Sequence, residues 1–327
     1  MAKNGTIPHS LPFFTRSLTA FLSSPDLFRI LATATTTTTT TTATTPPHLP
    51  VSPRAPPRNG IQTLIVLDSS FNPPTRAHAQ MALSAMRTAG PGARLLLLLA
   101  VHNADKKGFA PSALASRLGM MEAFARQLLQ QQQQQQQQEQ GREEGSKEQG
   151  GGGDESLGEV DVAVTKMPFF GDKARSIAEM RGYAGLGGEG PEQVYLCGFD
   201  TLVRIFDEKY YGGGVCVEEL AEGTPMQRAL RPFFGMAKLR VTMRPDDEWG
   251  SAEEQRAYVD GLGRGDLERR GGDSCWARRV ELVEGIGEVV SSSRVREVVR
   301  RGGGDELDGL VGGEVRRWIE EEGLYRE

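Results

Sequence analysis

Ser69, Ser70, Asn72, Thr75 and His78 crowd into one short stretch of the chain. Leu64 to Leu67, just before them, is an apolar run that reads as a buried strand, and Ala79 to Met86, just after, reads as a helix. Hydroxyls, a carboxamide and an imidazole therefore sit on a strand-to-helix turn. Such a turn faces free backbone N–H groups and the positive end of a helix dipole, a setting that holds phosphate. Pro73 and Pro74 stiffen the corner, since proline fixes φ and has no N–H to satisfy. Thr75 and His78 lie three residues apart, so both can address one ligand from one helical face. A single histidine on a helix is most often a satisfied structural residue; its neighbours here shift the balance towards phosphate chemistry.

Three further groups share that chemistry. Ser291, Ser292 and Ser293 precede a helical run that contains Arg296. Serine at a helix start satisfies orphan N–H groups, and with a guanidinium alongside the same helix end can hold an oligophosphate. Taken alone, an ordinary capped surface helix is the commoner reading. Lys106 and Lys107 follow the apolar run Leu95–Val101, where a lysine can reach a phosphate or simply be solvated. Cys197-Gly198-Phe199-Asp200 also leaves a strand and opens a helix, with Asp200 either capping that helix or facing a ligand. Gly185–Gly190 fits GxGxxG as letters but precedes a strand, so it lacks the context of a dinucleotide fingerprint. No GxxxxGK[ST], HExxH or GxSxG sequence is present.

Positioning these groups falls to alternating strands and helices. Strands are expected at 63–67, 94–101, 160–164, 193–196, 239–243 and 280–283. Helices are expected at 76–89, 111–129, 172–180, 201–206, 253–259, 293–301 and 314–322. The alternation implies an α/β, Rossmann-like, mostly parallel sheet with helices on both faces, whose ligands lie beyond the carboxyl ends of the strands.

Residues 61–327 are expected to form this domain, interrupted at 130–158 by a Gln/Gly-rich insertion read as a disordered surface loop. Residues 33–60, Thr-rich and then Pro-rich, read as a flexible linker. Residues 1–32 read as a helical segment that packs on the domain through Phe14, Leu18, Phe21 and Leu22. An arginine-bearing, acid-poor stretch of this kind also resembles a transit peptide, the lesser expectation. A net charge of −5 speaks against general nucleic-acid binding, and no apolar run is long enough to span a membrane. Cys197, Cys216 and Cys275 show no CxxC spacing, which fits free thiols in a reducing compartment, cytoplasm or nucleus. A homo-oligomer is compatible with all of this.

The stretch from Ser69 to His78 resembles the SFNPxTxxH signature of nucleotidyltransferases, in particular the nicotinamide and nicotinate mononucleotide adenylyltransferases in their fungal form. Val290–Arg296 is similar to that family's ISSTxIR. Lys106–Gly108 with Arg117 and Met120 is similar to its Lys-Lys-Gly and RxxM elements, Cys197–Leu202 to its CGxDxL, and Arg244 to its strand-TRP element. The resemblance covers roughly residues 61–327 outside the insertion. It implies the HxGH-type nucleotidyltransferase fold, and transfer of AMP from ATP to a pyridine mononucleotide with release of pyrophosphate, in NAD biosynthesis. On that reading His78 meets the α-phosphate; Ser292, Ser293 and Arg296 hold the β- and γ-phosphates; and Lys106 or Lys107 meets a further ATP phosphate. Ser69, Ser70, Phe71, Asn72 and Thr75 form the nucleotide-binding turn. Gly198 and Asp200 lie near the adenosine ribose, with Arg244 at the rim. Mg²⁺ is implied with the ATP phosphates, held largely through water.

One position of the turn departs mildly from the family pattern, Ser69 in place of a usual glycine; Thr75 stands for the first histidine of HxGH, as in the family's TxxH form. The tryptophans that stack on the pyridine ring in the family are absent from the aligned region, which carries Met167, Pro168, Phe169 and Phe170. Phe169 or Phe170 could stack on a ring or serve the core. A different phosphate acceptor on the same fold, or a nucleotide-binding interaction protein without catalysis, are the alternatives.

Overall fold

A computed structural model describes residues 10–35, 52–55, 60–90, 92–101, 111–143, 158–180, 182–184, 188, 190–211, 223–244, 248–285 and 290–326. The first half comprises α1 (Leu11–Leu22), β1 (Phe28–Thr35), β2 (Thr63–Asp68), α2 (Arg76–Ala89), β3 (Ala93–Ala100), α3 (Pro111–Glu143), β4 (Glu159–Thr165) and α4 (Phe170–Met180). The second comprises β5 (Glu192–Gly198), α5 (Phe199–Ile205), α6 (Pro225–Met236), β6 (Ala237–Thr242), α7 (Ala252–Gly261), the single turn α8 (Leu267–Arg269), β7 (Val280–Val283), α9 (Ser292–Arg300), the short α10 (Leu307–Leu310) and α11 (Gly313–Glu321).

The strands form one sheet in the order β1-β4-β3-β2-β5-β6-β7. From β4 to β7 all neighbours are parallel, and β1 runs antiparallel to β4. The inner strands are continuous apolar runs such as Leu95–Leu99, all buried, because helices cover both faces. Ile65, Leu67 and Leu97 pack with Phe71, Phe124, Leu128 and Trp318 on one face. Leu64, Val66 and Tyr195 pack with Leu202, Phe233 and Trp276 on the other. The connection through α2 covers the first face and that through α4 the second. The sheet therefore reverses its winding between β2 and β5, and a crevice opens there at the carboxyl ends of the strands.

Three elements differ from the sequence expectation. Residues 28–35, expected to close a helical segment (28–32) and open a linker (33–35), are strand β1, registered from Phe28 opposite Thr165 to Thr35 opposite Glu159. The expected linker thus begins no earlier than residue 36, because β-branched threonines suit a pleated edge and Thr33 is anchored there. Its buried hydroxyl donates to Asp161 Oδ1 at 2.6 Å and accepts the Arg54 N–H at 3.0 Å. Ahead of it, α1 buries Phe14, Leu18 and Phe21, while Leu22 is only partly covered.

The glutamine tract is the second difference. α3 continues to Glu143, so residues 130–143, expected to be loop, are helical. Glutamine is a good helix former, and the buried first half of α3 supplies the nucleus from which the tract propagates. The rest of the expected insertion, 144–157, lies outside the described residues. Third, α6 was not foreseen. Pro232 inside it disguises a helix whose face Met226, Leu230, Phe233 and Phe234 is buried and whose start is a Thr224/Gln227 capping box.

Candidate functional site

A cleft of about 600 Å³ opens at the winding reversal. Leu67–Ser69 at the end of β2 and Leu196–Gly198 of β5 form its floor. Thr75, which caps α2, with His78 and Met81 of α2 form one wall, and Val290–Ser292 at the start of α9 another. Thr242–Arg244 and Val283–Gly285 close the rim. The first turns of α2 and α9 both present their N-terminal N–H groups and dipole ends to one space, which suits a polyanion.

His78 is fixed at both ring nitrogens. Nδ1 accepts the Thr75 backbone N–H at 3.0 Å and lies 2.8 Å from Thr75 Oγ1. With Nδ1 accepting, the ring proton of the neutral imidazole resides on Nε2. Nε2 lies 2.9 Å from Ser69 Oγ, on the cleft side. Burial lowers the His78 pKa to about 4, so the ring is neutral at physiological pH. The site therefore presents an uncharged N–H donor at a helix start. Phe71 packs against the ring with centroids 5.5 Å apart and sets its tilt.

The turn itself is held from behind. The Asn72-Pro73 peptide is cis, and Phe71 adopts a left-handed φ of 43° with its ring fully buried. Arg296 Nη1 donates to the Asn72 carbonyl at 2.7 Å, and Nη2 reaches Ser293 Oγ at 3.1 Å. Ser292 Oγ donates to the Pro73 carbonyl at 2.8 Å. Tyr325 Oη donates to Asn72 Oδ1 at 2.9 Å, and Arg117 Nη1 lies 3.5 Å from the Ser70 carbonyl. The two phosphate-type helix starts are thus bolted to one another through backbone carbonyls.

These contacts sort the expected residues into two groups. Ser69, Thr75, His78, Gly198, Asp200, Arg244 and Ser292 border the cleft. Ser70, Phe71, Asn72, Ser293 and Arg296 stand behind it, and Arg296 in this arrangement secures the turn. Lys106 and Lys107 lie outside the described residues. A Cβ at Gly198 would come within 2.6 Å of Asp200 Oδ1, so any larger residue there would displace that carboxylate. Phe170 borders the cleft, whereas Phe169 is 60% exposed and does not.

Other cleft residues escaped the sequence reading. Gly285 brings the end of β7 against β6 so closely that a Cβ would lie 2.1 Å from the Met243 carbonyl oxygen. Gln255, fully buried, accepts the Arg244 N–H at 2.9 Å and donates to the Arg244 carbonyl at 2.8 Å, which sets the rim. Gln135, from the glutamine tract, reaches the wall beside Gln80. Asp68 at the floor is paired with Lys173 of α4. Neither Gln135 nor Lys173 carries a local motif that could have marked it.

No family model matches the chain. A curated relative in Schizosaccharomyces pombe, described provisionally as a nicotinamide mononucleotide adenylyltransferase, is 34% identical over 242 residues, covering 73% of this chain and 76% of its own length. A solved Plasmodium falciparum nicotinic acid mononucleotide adenylyltransferase complexed with NaAD superposes with a TM-score of 0.46 at 11% identity, over 81% of this chain and 97% of that one. The same protein complexed with APC gives 0.45 at 10% identity, with the same coverage. Superpositions at this level decide neither fold nor function; the relative in sequence carries the weight.

Proposed function

The chain belongs to the nicotinamide/nicotinate mononucleotide adenylyltransferase family of nucleotidyltransferases, and from that premise we propose that it transfers AMP from MgATP to a pyridine mononucleotide, giving a dinucleotide and pyrophosphate. The observation that carries this reading is the neutral His78 N–H at one helix start, facing the Ser291–Ser292 helix start across the same cleft.

A 5′-phosphate oxygen of the acceptor attacks the α-phosphorus of ATP in line. The new P–O bond forms as the bond to the bridging α,β-oxygen breaks, and that oxygen leaves with pyrophosphate. No proton transfer is required, so the protein's task is positioning and charge stabilisation. His78 Nε2–H, held by the Thr75 bond, exchanges its contact with Ser69 for a non-bridging α-oxygen as charge builds there. The N–H groups at the start of α9, with the Ser291 hydroxyl at its N-cap, take the leaving pyrophosphate. Asp200, at the first turn of α5, offers a carboxylate to ribose hydroxyls.

Among the described residues no three His, Cys, Asp or Glu side chains converge as a metal cage. Mg²⁺ would enter with ATP, as part of MgATP. When bound it lowers the charge on the leaving pyrophosphate.

Phosphorus NMR of MgATP mixed with nicotinamide mononucleotide and the protein tests the reading. Conversion of both substrates to a diphosphodiester and pyrophosphate is expected. An unchanged spectrum with folded protein contradicts it.

A further inference from the structure

Asp68 is the last residue of β2 and continues the side of that strand on which Leu64 and Val66 face α4. Its neighbour Ser69 touches His78, so Asp68 stands one residue from the reacting phosphate, on the opposite flank of the sheet edge. Asp68 Oδ2 accepts from Lys173 Nζ at 2.5 Å, and the two side chains are only 8% and 7% exposed. A buried ion pair contributes little to stability compared with apolar residues of the same size, so its place at a cleft floor asks for another use.

The same ammonium lies 5.5 Å from the centre of the Phe170 ring. That ring borders the cleft and is held edge-on by Tyr195 at 5.6 Å and Phe233 at 5.9 Å. Phe170, Lys173 and Asp68 thus make one corner: a fixed aromatic surface beside a carboxylate whose charge is balanced through one oxygen. Lys173 bonds Oδ2, which leaves Oδ1 to accept a donor from the cleft.

Resting on the adenylyl-transfer reading above, we propose that Asp68 reads the exocyclic group of the acceptor's pyridine ring and selects the uncharged carboxamide over the carboxylate. A flat ring laid against Phe170 turns its substituent into this corner. A carboxamide N–H donates to Asp68 Oδ1. A carboxylate there meets a like charge and finds the Lys173 ammonium already engaged, the repulsive element that specificity needs. Lys173 is a positioning residue: its bond to Oδ2 fixes the orientation of Asp68 without touching the ring's substituent.

The test compares kcat/KM for nicotinamide mononucleotide and nicotinate mononucleotide in the wild-type protein and in Asp68→Asn. Wild type should favour the amide by roughly tenfold or more, the scale set by one matched against one repelled polar contact. In Asp68→Asn the Lys173 ammonium loses its anion, and preference should move towards the carboxylate by a similar factor. Calorimetric binding of each mononucleotide to wild-type protein gives the same comparison without relying on the variant's folding. Equal use of the two, a wild-type preference for nicotinate, or an unchanged ratio in folded Asp68→Asn overturns this inference alone. Absence of product from both acceptors overturns the adenylyl-transfer reading, and this inference with it.

Discussion

Lowering the pH from 8 to 5.5 should leave His78 neutral. Burial holds its pKa at about 4 instead of 6.5, and its place at the start of α2 adds a dipole that opposes a positive charge. At pH 5.5 an ordinary imidazole is about 90% protonated, whereas one with a pKa near 4 is about 3% protonated. The Nε2–H donor required by the mechanism therefore survives in nearly every molecule. The shift also bears on stability. A histidine with a lowered folded pKa contributes its full stability above pH 6.5 and loses it as pH falls towards 4. For a half-buried ring this amounts to at most about 3 kcal/mol. Turnover alone is a poor gauge, because a phosphate monoester acceptor itself titrates near pH 6. Long-range proton–nitrogen correlation NMR of labelled protein reads the ring directly. It should show the Nε2–H tautomer, unchanged from pH 8 to 5.5. A ring that titrates near 6.5, or one that carries its proton on Nδ1, would refute both the tautomer assignment and the role drawn from it.

Other perturbations separate the parts of the site. Tyr325→Phe removes the bond to Asn72; kcat/KM should fall by up to roughly tenfold, the scale of one neutral hydrogen bond, with little change in Tm, and unaltered kinetics would show that the turn holds without it. Gln135→Ala opens the wall contributed by the glutamine tract; KM for ATP should rise by roughly 2–10-fold with kcat unchanged, the pattern of uniform binding, and an unchanged KM would show that this wall does not touch the nucleotide. Burial raises the pKa of Glu122 on α3 to about 7, against the pull of Arg126, so the stability it confers is full below pH 4.5 and is lost as pH rises through 7. Glu122→Gln should therefore raise Tm more at pH 8 than at pH 5, and equal shifts at both pH values would remove the buried carboxyl from the account.

Much of this architecture was legible in the sequence because the signals are local. The strand-turn-helix around His78 and the serine-led start of α9 announce themselves within a few residues, and the apolar runs of β2 to β6 leave little ambiguity. What stayed hidden depends on distance or on competing composition. Asp68 and Lys173 are 105 residues apart, and Asn72 and Tyr325 are 253 apart, so no spacing rule could pair them. The threonines of β1 read as linker because the same residues continue into a long Thr/Pro-rich run; the neighbour β4, with Asp161 under Thr33, is what makes them strand. The glutamines after residue 129 carry no apolar period, so only their attachment to a buried helix reveals them as its continuation. The family resemblance placed Arg296 at the phosphates, and here the backbone carbonyl of Asn72 accepts from its guanidinium, a contact no local spacing reveals.

The most direct measurement is a product assay on the purified protein with MgATP and nicotinamide mononucleotide, nicotinate mononucleotide in parallel, and His78→Ala beside the wild type. Dinucleotide and pyrophosphate should appear in equal amounts. In folded His78→Ala turnover should drop by roughly 10²-fold or more, the usual effect of losing one transition-state donor. Tight ATP binding without dinucleotide, or full turnover in His78→Ala, would contradict adenylyl transfer through this cleft.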